Sequence, residues 1–184
     1  MIYESLACLT EELNELLKTK LNSKEDRAIL SGIVAPDGSM AVQGENKILV
    51  TLVNLEREPA VATKTVPNRS SAVSINLYIL FSAYFGSGNY TESLRFLSFI
   101  VTFFQHKNVF TRTNTPRMDS GIGKLILEME SLTPDKMNNL WTTLGAKYMP
   151  SVLYKARMLT YDDAVIREFR PDIKSVEREN QPVQ

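Results

Sequence analysis

The sequence predicts a single α+β domain with a mainly antiparallel sheet, an N-terminal helix, a long core helix and a short third helix. Three observations carry this. Two long helical periodicities and one short one are separated by strand-like runs, in the order helix, three strands, helix, strand, helix, strand. The strands do not alternate one-for-one with helices, as a parallel doubly wound sheet requires. The chain has 184 residues, 43% of them hydrophobic, which is enough for one sizeable core. Past Tyr161 the apolar pattern fades, which divides the chain into a domain over 1–160 and a polar arm or tail over 161–184.

Ile2, Leu6, Leu9, Leu13, Leu16, Leu17 and Leu21 recur mostly at steps of three and four, and the charged residues fall between them. This is an amphipathic helix ending near Asn22-Ser23. Arg27–Val34 and Lys47–Leu55 are β-branched or aliphatic, and Pro36-Asp37-Gly38 between them has turn chemistry. In the second run Ile48, Val50 and Leu52 face one way and Leu49, Val53 and Leu55 the other, so a central strand with two apolar faces is expected. Residues 56–71 are polar and contain Pro59 and Pro67, a long connection. Val73, Ile75, Leu77, Ile79 and Phe81 then alternate over a long strand that Gly86-Ser87-Gly88 ends.

Asn89 and Glu92 have the spacing of a capping box ahead of Leu94, Leu97, Ile100, Val101 and Phe104, the core helix. Leu125, Leu127 and Met129 alternate with Lys124, Glu128 and Glu130, a strand with one wet face. Thr133-Pro134 opens a third helix, with Leu132 and Met137 placed as a hydrophobic staple and Gly145 as the stop. Leu140, Trp141 and Leu144 share one face of it, expected against the sheet. Ser151–Leu159 returns to strand composition.

Lys plus Arg and Asp plus Glu each total 21, so no global field draws the chain to nucleic acid or anionic lipid. The N-terminus lacks the basic start and continuous apolar stretch of a signal peptide, and no run reaches the roughly 20 apolar residues of a membrane span. Synthesis and folding in the cytoplasm are expected.

Chemistry-bearing constellations are sparse. His106 is the only histidine and Cys8 the only cysteine, so a zinc site has too few ligands, and Cys8 reads as a small buried hydrophobe. Asp162 and Asp163 are adjacent and fit a solvated turn. Gly121-Ile122-Gly123-Lys124 is followed by Leu125 and lacks P-loop spacing, and Gly86-Ser87-Gly88 lacks the third glycine of a dinucleotide turn. No cofactor, metal or catalytic set is assigned. Phe96, Phe99, Phe103, Phe104, Tyr78 and Phe81 follow helix and strand periodicity and are expected in the core. The local feature that stands out is a basic stretch over 107–124, where Lys107, Arg112, Arg117 and Lys124 meet one acidic residue, Asp119. Lys107, Arg112 and Arg117 are candidate contact residues, as are Arg167, Phe169 and Arg170 in the arm.

The chain also resembles the cap, or tail-terminator, proteins of contractile injection systems of the antifeeding-prophage and virulence-cassette type. The likeness rests on YESLACLTEELNELL, LVNLEREPA, NLYILFSAYF, YTESLRFLSFIVTFFQHKNVF and LTPDKMNNLWTTLGAKYMPSVLYKARML, in that order over residues 2–160. Its most specific part is LW-x-x-LG-x-x-Y-x-PS-x-x-Y, from Leu140 to Tyr154. The resemblance implies a tail-terminator-like fold and a non-enzymatic subunit. It also implies a ring, expected to be a hexamer, that ends the inner tube and anchors the last sheath layer. Tube and sheath proteins are the implied partners, with no nucleic acid and no membrane insertion. The implied location is the bacterial cytoplasm during assembly, and then the particle end distal to the baseplate. A non-enzymatic nucleic-acid or ligand-binding domain using the basic loop 107–124 is the alternative.

Overall fold

The computed structural model describes residues 1–58 and 74–160. The elements in chain order are α1 (Ile2–Leu21), β1 (Ala28–Leu30), β2 (Lys47–Arg57), β3 (Ser74–Tyr84), a 3-10 turn at Ser87–Asn89, α2 (Tyr90–His106), β4 (Val109–Phe110), β5 (Ile122–Glu130), α3 (Pro134–Leu144) and β6 (Ser151–Thr160). The strands form one six-stranded sheet in the order β1-β2-β3-β6-β5-β4. Every neighbouring pair is antiparallel except β1–β2. The expected α+β class, with a mainly antiparallel sheet, is what the chain adopts, and three helices pack on it.

Period-two alternation sorts the strands onto two faces. Ile48, Val50, Leu77, Ile79, Phe81, Leu125, Leu127, Tyr154 and Met158 form one core with Leu9, Leu13 and Leu17 of α1 and Phe96, Ile100 and Phe104 of α2. Phe104 sits at its centre, with ring centroids 5.2 Å from Phe81, 4.9 Å from Tyr154 and 6.2 Å from Phe110. Leu49, Leu80 and Leu153 form the second core, on the opposite face, with Ile33 and with Trp141 of α3. Trp141 is 4% exposed, and Leu140 and Leu144 pack beside it, as their shared helix face requires.

Several local expectations change. The first strand runs only from Ala28 to Leu30, because beyond Ser31, whose N–H donates to the Val50 carbonyl (3.1 Å), the chain leaves β2. Ile33, Val34, Met40 and Val42 instead cover the second core from a loop closed by a Val34–Met40 bridge. The predicted turn lies in that loop. Asp37 Oδ1 accepts from the Ser39 N–H (2.9 Å) and Oγ–H (2.6 Å), which holds its carboxyl below the usual range, and Gly38 takes φ +82°. β2 is flanked by two strands only near its start, over Ile48–Val50, so it is not central along its length. A bulge between Leu52 and Asn54 reverses its alternation, which sets Leu55 opposite Leu77, on the Ile48 face rather than the Leu49 face.

Asn89 precedes α2 without a side-chain cap, and its Nδ2 donates to Asn46 Oδ1 (3.0 Å). Thr133 likewise makes no side-chain cap, although its carbonyl accepts the Met137 N–H (2.9 Å) and Pro134 opens α3. The buried line of α2 is Ser93, Phe96, Ile100 and Phe104, whereas Leu94 is 42% exposed. β4 is a two-residue edge strand inside a stretch too polar to announce it.

α1 is joined to the sheet by more than apolar contact. Asn14 is buried, its Oδ1 accepts from the Ala28 N–H (2.7 Å) and the Arg27 N–H (2.9 Å), and its Nδ2 donates to the Ala28 carbonyl (2.9 Å). The side-chain amide thus takes the place of a neighbouring strand at the open side of β1.

Candidate assembly surfaces

The basic stretch folds into a pinned loop. Asn114 Oδ1 accepts the Thr111 N–H (2.9 Å), its Nδ2 donates to the Val109 carbonyl (2.8 Å), and Thr115 and Met118 are buried beneath it. α1 brings two carboxylates to this loop. Lys107 Nζ lies 2.6 Å from Glu12 Oε2, donates to the Asn114 carbonyl (3.2 Å) and stands 4.9 Å above the Phe110 ring. Arg117 Nη1 is 3.8 Å from Glu11 Oε2 in an exposed pair that is worth little to stability.

The expectation of uncompensated charge is therefore corrected: within the domain Lys107 is committed to Glu12, and Arg117 faces Glu11. Arg112 is exposed and has no ion pair among the described residues. Arg167, Phe169 and Arg170 lie outside the described residues.

His106 is exposed, and its Nδ1 lies 2.7 Å from the Thr102 carbonyl oxygen. With Leu16, Lys20, Phe99, Thr102 and Phe103 it lines an apolar groove of about 480 Å³ between α1 and α2. Phe99 and Phe103, assigned to the core from periodicity, are only partly buried, and they form the wall of this groove. Burial, and after it the carboxylates of Glu12 and Glu11, pushes the Cys8 thiol up. Cys8 is therefore expected to react with a thiol reagent at neutral pH only as fast as the domain opens. Labelling followed by mass spectrometry, with and without denaturant, measures this; rapid native labelling contradicts it. Among the described residues no three His, Cys, Asp or Glu side chains are grouped to hold a metal ion, and no helix is long and apolar enough to cross a membrane.

Several large apolar side chains also stand on the surface. Met1, Tyr3, Leu55, Tyr90, Leu94, Met129 and Tyr148 are each more than 40% exposed. Ile2, Tyr3 and Leu6 of α1 border a groove with Leu30, Val50 and Leu52, where β1 stops and the outer edge of β2 is open. Tyr90 and Tyr148 border another groove beside Phe85 and Pro150, where β3 ends and β6 begins. Periodicity could not single out these residues, because exposure of one apolar side chain depends on where the neighbouring element stops.

The sheet carries two helices on one face and one on the other, with exposed apolar residues along its rims. Residues 7–175 match the Pvc16 N-terminal domain family, and the chain belongs to that family. The match runs past the end of β6 into the segment set apart from sequence as an arm. Two solved structures share the fold. The PVC sheath/tube terminator of an extracellular contractile injection system, in the extended state, is 13% identical with TM-score 0.52, over 94% of this chain and 64% of that one. The anti-feeding prophage cap, described as a tube-terminating cap, is 15% identical with TM-score 0.55, over 95% of this chain and 61% of that one. The chain thus spans less than two thirds of the length of either. No curated protein matches it.

Proposed function

We propose that this chain is the cap of a phage-tail-like contractile injection system: a structural, non-enzymatic ring, sixfold by family likeness, that ends the inner tube and anchors the last sheath layer. The carrying observation is its membership, over 7–175, of the Pvc16 N-terminal domain family, together with a fold shared with a sheath/tube terminator and a tube-terminating cap. Tube protein, sheath protein and further copies of itself are the partners, at the particle end distal to the baseplate after assembly in the bacterial cytoplasm. Head-to-tail contacts between identical subunits close into a ring when their rotation permits, and exposed apolar rims on separate parts of the sheet suit such contacts. The alternative reading of 107–124 as a nucleic-acid surface loses support, because Glu11 and Glu12 offset two of the loop's cations.

Purified protein added to growing tubes should stop elongation and sit at one end in negative-stain images. Tubes of unchanged length with no end density contradict the proposal. The same assay places the basic loop. Arg112→Glu with Arg117→Glu should reduce end binding by about tenfold or more at low salt, and by less at high salt, while the melting temperature stays put. Wild-type binding by the double variant at both salt levels would remove the loop from the interface.

A further inference from the structure

Past Val50 the outer side of β2 has no strand beside it among the described residues. The Glu58 N–H donates to the Ser74 carbonyl (3.0 Å), toward β3, so by strand alternation the N–H groups of Leu55 and Arg57 point away from β3. An unpaired edge with an apolar groove beside it is a template for an added strand. Here the groove is walled by Ile2, Tyr3, Leu6, Leu30, Val50 and Leu52, with Tyr3 70% exposed at its rim and Leu55 exposed on the same face of the sheet.

The chain itself carries a segment of the right length and origin. β6 ends at Thr160 beside the start of β3, at the same end of the sheet as Arg57, and 24 residues follow it. The family match extends to residue 175, so part of this segment belongs to the family's domain. In extended form Val165, Arg167 and Phe169 share one face, and Pro171, which lacks an N–H, ends any pairing.

The outer side of β2 lies about three strand spacings, roughly 14 Å, from β6. For a chain's own segment to reach it, the path must cross the β2–β3 connection, which leaves from the same end of the sheet. Connections at one end of a sheet do not cross each other. Fully extended, residues 161–164 span up to about 14 Å, so the β2 edge that receives the segment must lie close to the end of β6 in the neighbouring copy.

We propose that residues 161–171 of one copy pair with the outer edge of β2, from Leu52 to Arg57, in a second copy. The proposal rests on the ring reading and gives that ring its inter-subunit strand.

The test uses the full chain with Cys8→Ala. Copies carrying Leu55→Cys are mixed with copies carrying Val165→Cys, Arg167→Cys or Phe169→Cys, and oxidised. A disulfide joining the two kinds of chain is expected for at least one pair. Exchange of the Leu55 and Arg57 amides should be at least about tenfold slower in the assembled full chain than in a chain stopped after Thr160. Leu55→Pro removes one outward N–H without touching the β3 side, and should lose the protection of the Arg57 amide while its circular dichroism stays native, which keeps the test valid if the shortened chain fails to fold.

Cross-linking only when both cysteines sit in one chain overturns the proposal, as does equal exchange in the two chains. Protection that arises only on adding tube or sheath protein assigns the edge to another partner and overturns it too. If the protein seats on tube ends yet no mixed disulfide forms, the strand exchange falls and the cap reading stands.

Discussion

Replacing Trp141 with alanine should cost about 3–5 kcal/mol, the range for removing a large aromatic from a packed core. Trp141 is the one side chain by which α3 reaches full burial, against Leu49, Leu80, Leu153 and Ile33, and its ring also meets Tyr148 edge-on at 5.7 Å. α3 is short and carries no side-chain cap at its start, so little else holds it to the sheet. Denaturant unfolding measures the loss, and the native protein's emission should be blue-shifted as for a buried indole. Trp141 Nε1 is buried with no hydrogen-bond partner among the described residues. Trp141→Phe, which drops that unpaired donor and keeps much of the ring, should therefore cost far less than Trp141→Ala. An exposed-type emission maximum in the native protein, together with unchanged stability in Trp141→Ala, would mean that this face is free.

Asn14→Ala should cost about 2–4 kcal/mol, because it strips the partners from two backbone N–H groups and a carbonyl at the start of β1. Asn14→Leu separates the polar clasp from packing. It restores apolar volume on a helix face that already carries Leu13 and Leu17, yet leaves the same backbone groups unpaired, and so should destabilise about as much as alanine. Urea unfolding and exchange of the Arg27 and Ala28 amides check both variants. Stability of Asn14→Leu at or above wild type would show that water satisfies those groups and that the clasp adds nothing.

Elements whose apolar residues repeat over several turns were legible in the sequence: α1 ends at Asn22 in a left-handed conformation (φ 49°), and β3, α2, α3 and β6 fall where periodicity puts them. What escaped depends on partners distant in the chain. Asn14 looks like one polar residue in a leucine-rich helix until Ala28 arrives beside it. The bulge that turns Leu55 over is specified by the facing strand, so alternation read along β2 alone puts it on the wrong side. β4 is too short for any period, and its pairing is set by β5.

The same limit applied to the surfaces. Lys107 and Arg117 read as uncompensated because Glu11 and Glu12 lie about a hundred residues earlier, as the 95-residue separation within the Lys107–Glu12 bond makes plain. The open edge of β2 could not be inferred at all, since it exists only because β1 is three residues long. The family likeness, by contrast, was readable in segments such as Leu140–Tyr154, where a buried tryptophan, a helix stop at Gly145 and the start of β6 follow in a fixed order.

The strand order places β6, the last strand of the described residues to leave the ribosome, between β3 and β5. Until residue 160 has emerged, β3 and β5 each present an unsatisfied ladder, and neither half of the sheet can close its hydrophobic faces. The final strand is the keystone of a vectorial process. A chain stopped before β6 lacks the Tyr154, Ala156 and Met158 side chains around which both halves pack. For a molecule whose proposed task is to end a growing polymer, this strand order makes a closed sheet wait for β6.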